Sequence, residues 1–341
     1  MSGGGEDTES RGGRRGLRLA AFGAFALGLS LAVGLVLYYD AGRIFALVGN
    51  LGWAIGVIVL VHAVPVAATM LAWRSLLLPF GIRQPAALLF WARWVADSVN
   101  QLLPVAQIGG EFVRGRLVVQ RGAPAAPAAA TIVVDTMAGF LSLILFILIG
   151  LGLLASWGGN TLYMNDFLIG AALAGFVLAA LYLMQRAGGI SRMVRLMSPV
   201  LGARQMETLT GGAAALDRRL EELYARPRAI FMATVWRLAG WFGGLLGIWV
   251  IARFLGYPIT FAEALVLEAV GQAVRNLGFA IPGALGAQEA GYVLGAVAIG
   301  MPEEAALALS LTKRARDILI GVPVLLSWQW SEGHRLFGRR T

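Results

Sequence analysis

The chain has no cysteine and only two histidines among its 341 residues. The first absence excludes disulfides, thiolate nucleophiles and thiolate metal sites. His62 and His334 lie far apart, and no HExxH or similar spacing occurs, so no metal centre is expected. No GxxxxGK[ST] phosphate-binding loop is present either, which argues against direct ATP hydrolysis. Charge is scarce: Asp, Glu, Lys and Arg make up 14% of the chain, against 58% hydrophobic residues. Nothing in the composition calls for a cofactor.

The abundance of apolar residues sets the class. Mean hydropathy is +0.73, and a membrane span needs roughly 20 mostly apolar residues. Spans are expected over 17–38, 51–73, 126–155, 166–184, 228–252 and 304–330. Two more apolar stretches, 86–121 and 260–300, are broken in the middle. The expected fold is an all-α polytopic membrane protein. A disordered tail over 1–16 precedes a single membrane domain over 17–341. RGGRRGLRL leads into the first apolar run without a convincing small-residue cleavage site, so that run reads as a retained span.

The net charge of +9 could suggest nucleic acid. In so apolar a chain it reads instead as basic cytoplasmic loops. Arg14, Arg15 and Arg18 precede the first span, and Arg74 and Arg83 follow the second. Arg114, Arg116 and Arg121 precede the third, Arg186, Arg192 and Arg195 follow the fourth, and Arg335, Arg339 and Arg340 come last. All fall on one side if both termini are cytoplasmic, which suits a bacterial inner membrane. The segment 187–227 contains LDRRLEELY and is expected to be an amphipathic cytoplasmic linker on the membrane surface.

The breaks are the informative part. LPVAQIGGE (103–111) carries a proline, two glycines and a carboxylate between apolar flanks. A shift of 178 residues sets Pro104 on Pro282, Glu111 on Glu289, Gly122 on Gly300 and Pro124 on Pro302. The same shift sets Asp135 on Lys313. The copies, about 51–155 and 228–330, enter the membrane from opposite faces on the topology above, so they form an inverted repeat. Each break then reads as the tip of a re-entrant helical hairpin, with Pro104, Gly109 and Gly110 at one tip and Pro282, Gly283 and Gly286 at the other. Backbone broken at that depth must be buried in protein or line a wet cavity. Glu111 and Glu289 open the returning helices, where a carboxylate caps free N–H groups. Contact with a proton or a headgroup is compatible with that role.

The last span carries Lys313, Arg314, Arg316 and Asp317. Each isolated charge at mid-span costs about 2.5–3.5 kcal/mol, so all four must face partners or water. At 100° per residue Lys313, Arg316 and Asp317 share a face, and Asp317 can neutralise Lys313 at i,i+4. Asp135, Glu111, Glu289 and Glu268 are the other expected partners. Arg93, Asp97, Asn100 and Gln101 precede the first tip, and Gln272, Arg275 and Asn276 precede the second. These groups, with Arg114, form either a network that only fixes helix register or a polar cavity whose arginines hold phosphate or carboxylate. The cavity is favoured, because so much charge is costly merely to fix packing. The ten tryptophans are assigned to no site.

NQLLPVAQIGGEFVRGRLVVQRG, the AAATIVVD that follows, IPGALGAQE and KRARD in the last span resemble the flippase-like membrane domain of lysylphosphatidylglycerol synthases. VNQLLPVAQIGGE, EAVGQAVRN, PGALGAQE and SLTKRARDILIG look closest to its hopanoid-biosynthesis-associated branch, HpnL. The resemblance covers nearly the whole chain after residue 15 and implies movement of lipid between leaflets. By position it singles out Asn100, Pro104, Gly109, Gly110, Glu111 and Asp135. In the second copy it singles out Pro282, Gly283, Gly286, Glu289, Arg314, Arg316 and Asp317. The chain departs from the two-domain synthases, since no stretch within it has room for an aminoacyl-transfer domain. It is therefore not expected to make lysylphosphatidylglycerol.

Three functions follow as expectations. The first is a lipid flippase for a polar-headed phospholipid or hopanoid, and not an enzyme. The second is an integral-membrane enzyme acting on a lipid headgroup, using its carboxylates and arginines in acid–base work. The third is a non-transporting scaffold for hopanoid biosynthesis. Membrane lipids are the expected partners and nucleic acid is not; a homodimer and contacts with hopanoid-pathway proteins are left open.

Overall fold

The computed structural model describes residues 52–103, 109–157, 164–189, 191–192, 203–277, 284 and 286–337. Ten helices occupy them. In order they are α1 (Ala54–Leu77), α2 (Ala86–Leu102), α3 (Gly109–Val119), α4 (Ala125–Ser156) and α5 (Met164–Arg186). Then come α6 (Ala203–Tyr224), α7 (Pro227–Phe254), α8 (Phe261–Leu277), α9 (Ala287–Ile299) and α10 (Glu303–Phe337). The expected all-α class holds for the described residues.

Among these residues α1 with the short turn that follows it (Ala54–Phe80), α4 and α7 are long and apolar enough to cross a membrane. Six spans were expected. The first, 17–38, lies outside the described residues. The last corresponds to α10, whose 35 residues give ample length but whose charged middle lowers its hydropathy. The linker expected on the membrane surface contains α6, whose Leu220 and Leu223 are buried against Ala72, Leu76, Ala130 and Val134. α6 is thus packed on the bundle as well as amphipathic.

The order helix, helix pair, long helix occurs twice: α1, α2–α3, α4 and then α7, α8–α9, α10. The two leading helices pack directly together. Trp53 meets Phe254 edge-on at 5.3 Å between ring centroids, Gly243 lies against Val64 and Pro65, Gly240 against Thr69, and Ser75 Oγ donates to Ala229 O. One number rises as the other falls, so α1 and α7 are antiparallel, as two inverted copies require. Each closing helix reaches across to the other copy's pair: Gly150 of α4 abuts Ala269 of α8, and Gly321 of α10 abuts Leu102 of α2. Asp135 and Lys313, equated by the 178-residue shift, each sit ten residues past the first residue of their helix. That is about 15 Å at 1.5 Å per residue, roughly half of a ~30 Å hydrocarbon core.

Both breaks fall between paired helices, α2 from α3 and α8 from α9. Pro104, Pro282 and Gly283 of the expected tips lie outside the described residues. Gly109 and Gly110 open α3. Gly286 precedes α9 with φ +77°, a left-handed angle that a side chain disfavours. The returning helices are short, 11 residues in α3 and 13 in α9, about 17 and 20 Å. Close approach within each pair depends on missing side chains. A Cβ on Gly110 would fall 2.1 Å from Ala96 O, and one on Gly291 would fall 2.9 Å from Gly271 O.

Gly110→Ala should therefore force α2 and α3 apart, at a cost of at least the ~1–3 kcal/mol typical of overpacking. Gly152→Ala in α4, where a Cβ meets nothing within 4 Å, should be neutral or stabilising. Melting temperatures in detergent check the contrast, and equal values for the two variants would contradict it.

Candidate functional site

Charge inside a bundle of this composition survives only when paired or hydrated, and the described charges gather around one hollow. Asp135 is the centre of the first group. Its position in α4 faces both α3 and α7, and it is fully buried. Arg237 Nε of α7 donates to its Oδ1 at 2.9 Å, and a second Arg237 N–H reaches Oδ2. Arg114 Nη1 of α3 lies 2.6 Å from Oδ2, and Arg93 Nη1 of α2 lies 3.9 Å away. Arg114 Nε donates to Glu111 Oε2 at 2.6 Å, and its guanidinium lies 4.7 Å from the Trp73 ring centroid, a favourable cation–π distance. Arg93 also meets Asp97 at 3.0 Å and Glu111 at 3.6 Å.

The second group lies on α8, α9 and α10. Lys313 Nζ donates to Glu268 Oε1 at 2.9 Å and Oε2 at 3.1 Å, and it also contacts the Tyr292 hydroxyl. Tyr292 donates to Glu268 Oε2 at 2.6 Å, and Gln272 Nε2 donates to Oε1 at 2.8 Å. Arg314 Nε donates to Glu289 Oε1 at 2.7 Å. Arg316 Nε and Nη2 both donate to Asp317 Oδ1, at 2.9 and 2.6 Å. Gln101 of α2, with its amide nitrogen turned toward α10, donates to Asp317 Oδ2 at 2.6 Å.

These contacts correct three expectations. Lys313 pairs with Glu268 and not with Asp317, which is taken by its neighbour Arg316. The cap on the Gly110 N–H is Asn100 Oδ1 at 2.8 Å, whereas Glu111 is turned to the arginines. Arg114, counted by sequence both among the basic loop residues and among the cavity candidates, is wholly buried and held by the carboxylates of Glu111 and Asp135. Glu289 does act as a cap, accepting from Gly286 N–H at 2.9 Å.

The hollow has a volume of about 1740 Å³. Eleven of the residues singled out by sequence line it: Arg93, Asp97, Gln101, Glu111, Glu268, Gln272, Arg275, Asn276, Lys313, Arg316 and Asp317. Asn100, Arg114, Asp135, Glu289 and Arg314 are not among its lining; they hold the lining groups or the ends of the paired helices. Three contributors were missed. Arg237 and His62 each stand as a lone ionisable residue in an apolar span, a signal in itself; Tyr292 gave none. His62, Pro65 and Thr69 form one cavity-facing stripe of α1, and Arg237, Gly240, Trp241 and Gly244 form one of α7.

Much of the remaining lining is apolar. It comprises Phe140, Leu143, Ile144, Ile147, Leu151 and Leu154 of α4, Leu173, Val177, Leu178 and Leu181 of α5, and Leu294 and Val297 of α9, with Thr136 and Gln288 the polar residues these helices add. Phe140, Leu173, Val177, Leu294 and Val297 are also exposed, so this lining runs out to the surface of the bundle. The hollow thus combines charged groups with apolar residues that reach the surface.

Removing one partner of a buried ion pair costs about 3–5 kcal/mol, and of an exposed pair under ~1 kcal/mol. Asp135→Asn, which strips the carboxylate from Arg237 and Arg114, should melt far below Glu332→Gln, whose partner Arg116 is exposed. Thermal unfolding of the two variants side by side measures the difference.

Comparison with curated proteins and with solved structures returned no match. The family model described as lysylphosphatidylglycerol synthase TM region matches residues 24–324. That range takes in both helix pairs and every lining residue of the cavity. The chain belongs to this family of membrane domains.

Proposed function

We propose that the protein moves a polar-headed lipid between the leaflets of a membrane. The observation that carries this reading is the amphipathic hollow: charged groups on α2, α3, α7, α8 and α10 line it together with a long run of apolar residues on α4, α5 and α9. A headgroup needs the first and acyl or polycyclic tails need the second. A tail lying against α4 and α5 leaves the cavity through exposed apolar residues, without crossing charge.

The inverted repeat supports alternating access. Two helix pairs with short returning helices, joined to antiparallel α1 and α7, suit two gates rocking about one midplane site. Asp135 and Lys313 then lie near mid-membrane, and α2–α3 and α8–α9 act as re-entrant hairpins entering from opposite faces. Both termini are placed in the cytoplasm of a bacterial cell, with the domain in the inner membrane. Transport is favoured over headgroup chemistry because the lining carboxylates are each held by a cation or by an amide, an arrangement for holding charge more than for proton transfer. The likeness of VNQLLPVAQIGGE and SLTKRARDILIG to the hopanoid-associated branch supports a lipid of hopanoid metabolism as cargo.

Gly244 lines the cavity, and a Cβ there meets nothing within 4 Å. Gly244→Trp should fill the hollow while leaving the bundle intact. In vesicles carrying a trace of fluorescent phospholipid, the wild-type protein should expose inner-leaflet label to an external quencher. The variant should slow that exchange by about tenfold or more, about 1.4 kcal/mol or more in barrier height, at an unchanged melting temperature. Wild-type protein that is no faster than empty vesicles, or a variant as fast as wild type, would remove the basis for the proposal.

A further inference from the structure

In and around the cavity seven cations, Arg93, Arg114, Arg237, Arg275, Lys313, Arg314 and Arg316, stand against six carboxylates, Asp97, Glu111, Asp135, Glu268, Glu289 and Asp317. Six of the cations have a carboxylate within 4.0 Å. Arg275 has none among the described residues. It lines the cavity on the last turn of α8, beside Gln272 and Asn276, and its Nε is buried without a hydrogen-bond partner. The partial negative charge of a helix C-terminus favours a cation there, but half a charge spread over a helix end does not replace a carboxylate. Lys313 and Arg316 line the same hollow and add to its positive potential. A guanidinium with a buried, unpartnered Nε and no carboxylate within reach is a costly arrangement unless an anion completes it.

We infer that Arg275 is the headgroup contact of this cavity and that its ligand carries an oxyanion with one net negative charge, such as the phosphodiester of an anionic phospholipid. A guanidinium meets such a group in a bidentate fork. The inference rests on the lipid-transport reading and narrows it. A zwitterionic head brings an ammonium with its phosphate, and the lining carboxylates that would receive it are already engaged. A lysyl-bearing head, with a net positive charge, fits worse still. The same oxyanion chemistry is available from free phosphate, so the two sources must be separated.

The test uses the full chain in detergent, exposed to equal amounts of phosphatidylglycerol, phosphatidylcholine and lysylphosphatidylglycerol, with bound lipid counted by native mass spectrometry. Wild type should retain phosphatidylglycerol over phosphatidylcholine by about tenfold, the scale of one charge-assisted contact. Arg275→Gln should bring the two to parity, and Arg275→Lys should keep most of the preference. Arg275→Gln should melt at or above the wild-type temperature, because it removes an uncompensated charge. Parity in the wild type, or an unchanged preference in Arg275→Gln, overturns the inference and leaves lipid transport standing. A lower melting temperature in Arg275→Gln with its lipid preference intact assigns Arg275 a structural role and overturns it as well. Inorganic phosphate is tested alone by its effect on melting temperature. If it stabilises the wild type but not Arg275→Gln while no lipid is retained, the oxyanion site holds and the lipid reading falls.

Discussion

The cost of a bare charge in hydrocarbon governs this molecule. Asp135 shows how the cost is met. One carboxylate, with no exposed surface, gathers Arg237 of α7, Arg114 of α3 and, at longer range, Arg93 of α2. Four helices are tied at a single point; if they separated, Arg93 would keep Asp97 and Arg114 would keep Glu111, but Arg237 would lose its carboxylate. Glu268 serves the second copy in the same way, binding Lys313 of α10 and Tyr292 of α9. The two anchors come from different positions in the repeat, so the symmetry of the helices is not matched by symmetry of the charges.

That asymmetry shapes the hollow. The ion pairs draw on α2, α3, α4, α7, α8, α9 and α10, while the cavity-facing residues of α5 are apolar. Polar groups held by one another form a surface that stays open to water and headgroups. Leucine and isoleucine on the facing helices form one that water leaves. The amphipathic character of the cavity follows from which face each helix turns to it: α4 presents leucine and isoleucine, while its Asp135 is not part of the lining.

Much of this was legible in sequence because the signals were local or periodic. Paired glycines and prolines marked the breaks, the 178-residue shift exposed the repeat, and a helical wheel put Lys313, Arg316 and Asp317 on one face. The sequence offered candidate partners but no means of choosing among them. For Lys313 both Asp317, four residues away, and Glu268, at a separation of 45, were candidates, and the fold chose the distant one. Arg237 was passed over because its surroundings read as an ordinary span, though it holds the most buried carboxylate from a separation of 102. Asn100 was identified as polar but not as the cap of Gly110, because the two are ten residues apart in sequence.

The pairing of α8–α9 with α10 has a consequence for how the chain is made. Glu268 and Glu289 leave the ribosome before Lys313 and Arg314, which answer them from the helix that follows. During that interval the second hairpin carries two carboxylates and lacks its counter-ions. A carboxylate in that position takes up a proton or stays at the aqueous boundary. Final seating of the hairpin therefore waits on the arrival of α10, and the order of synthesis makes that helix the latch that closes the second half of the bundle.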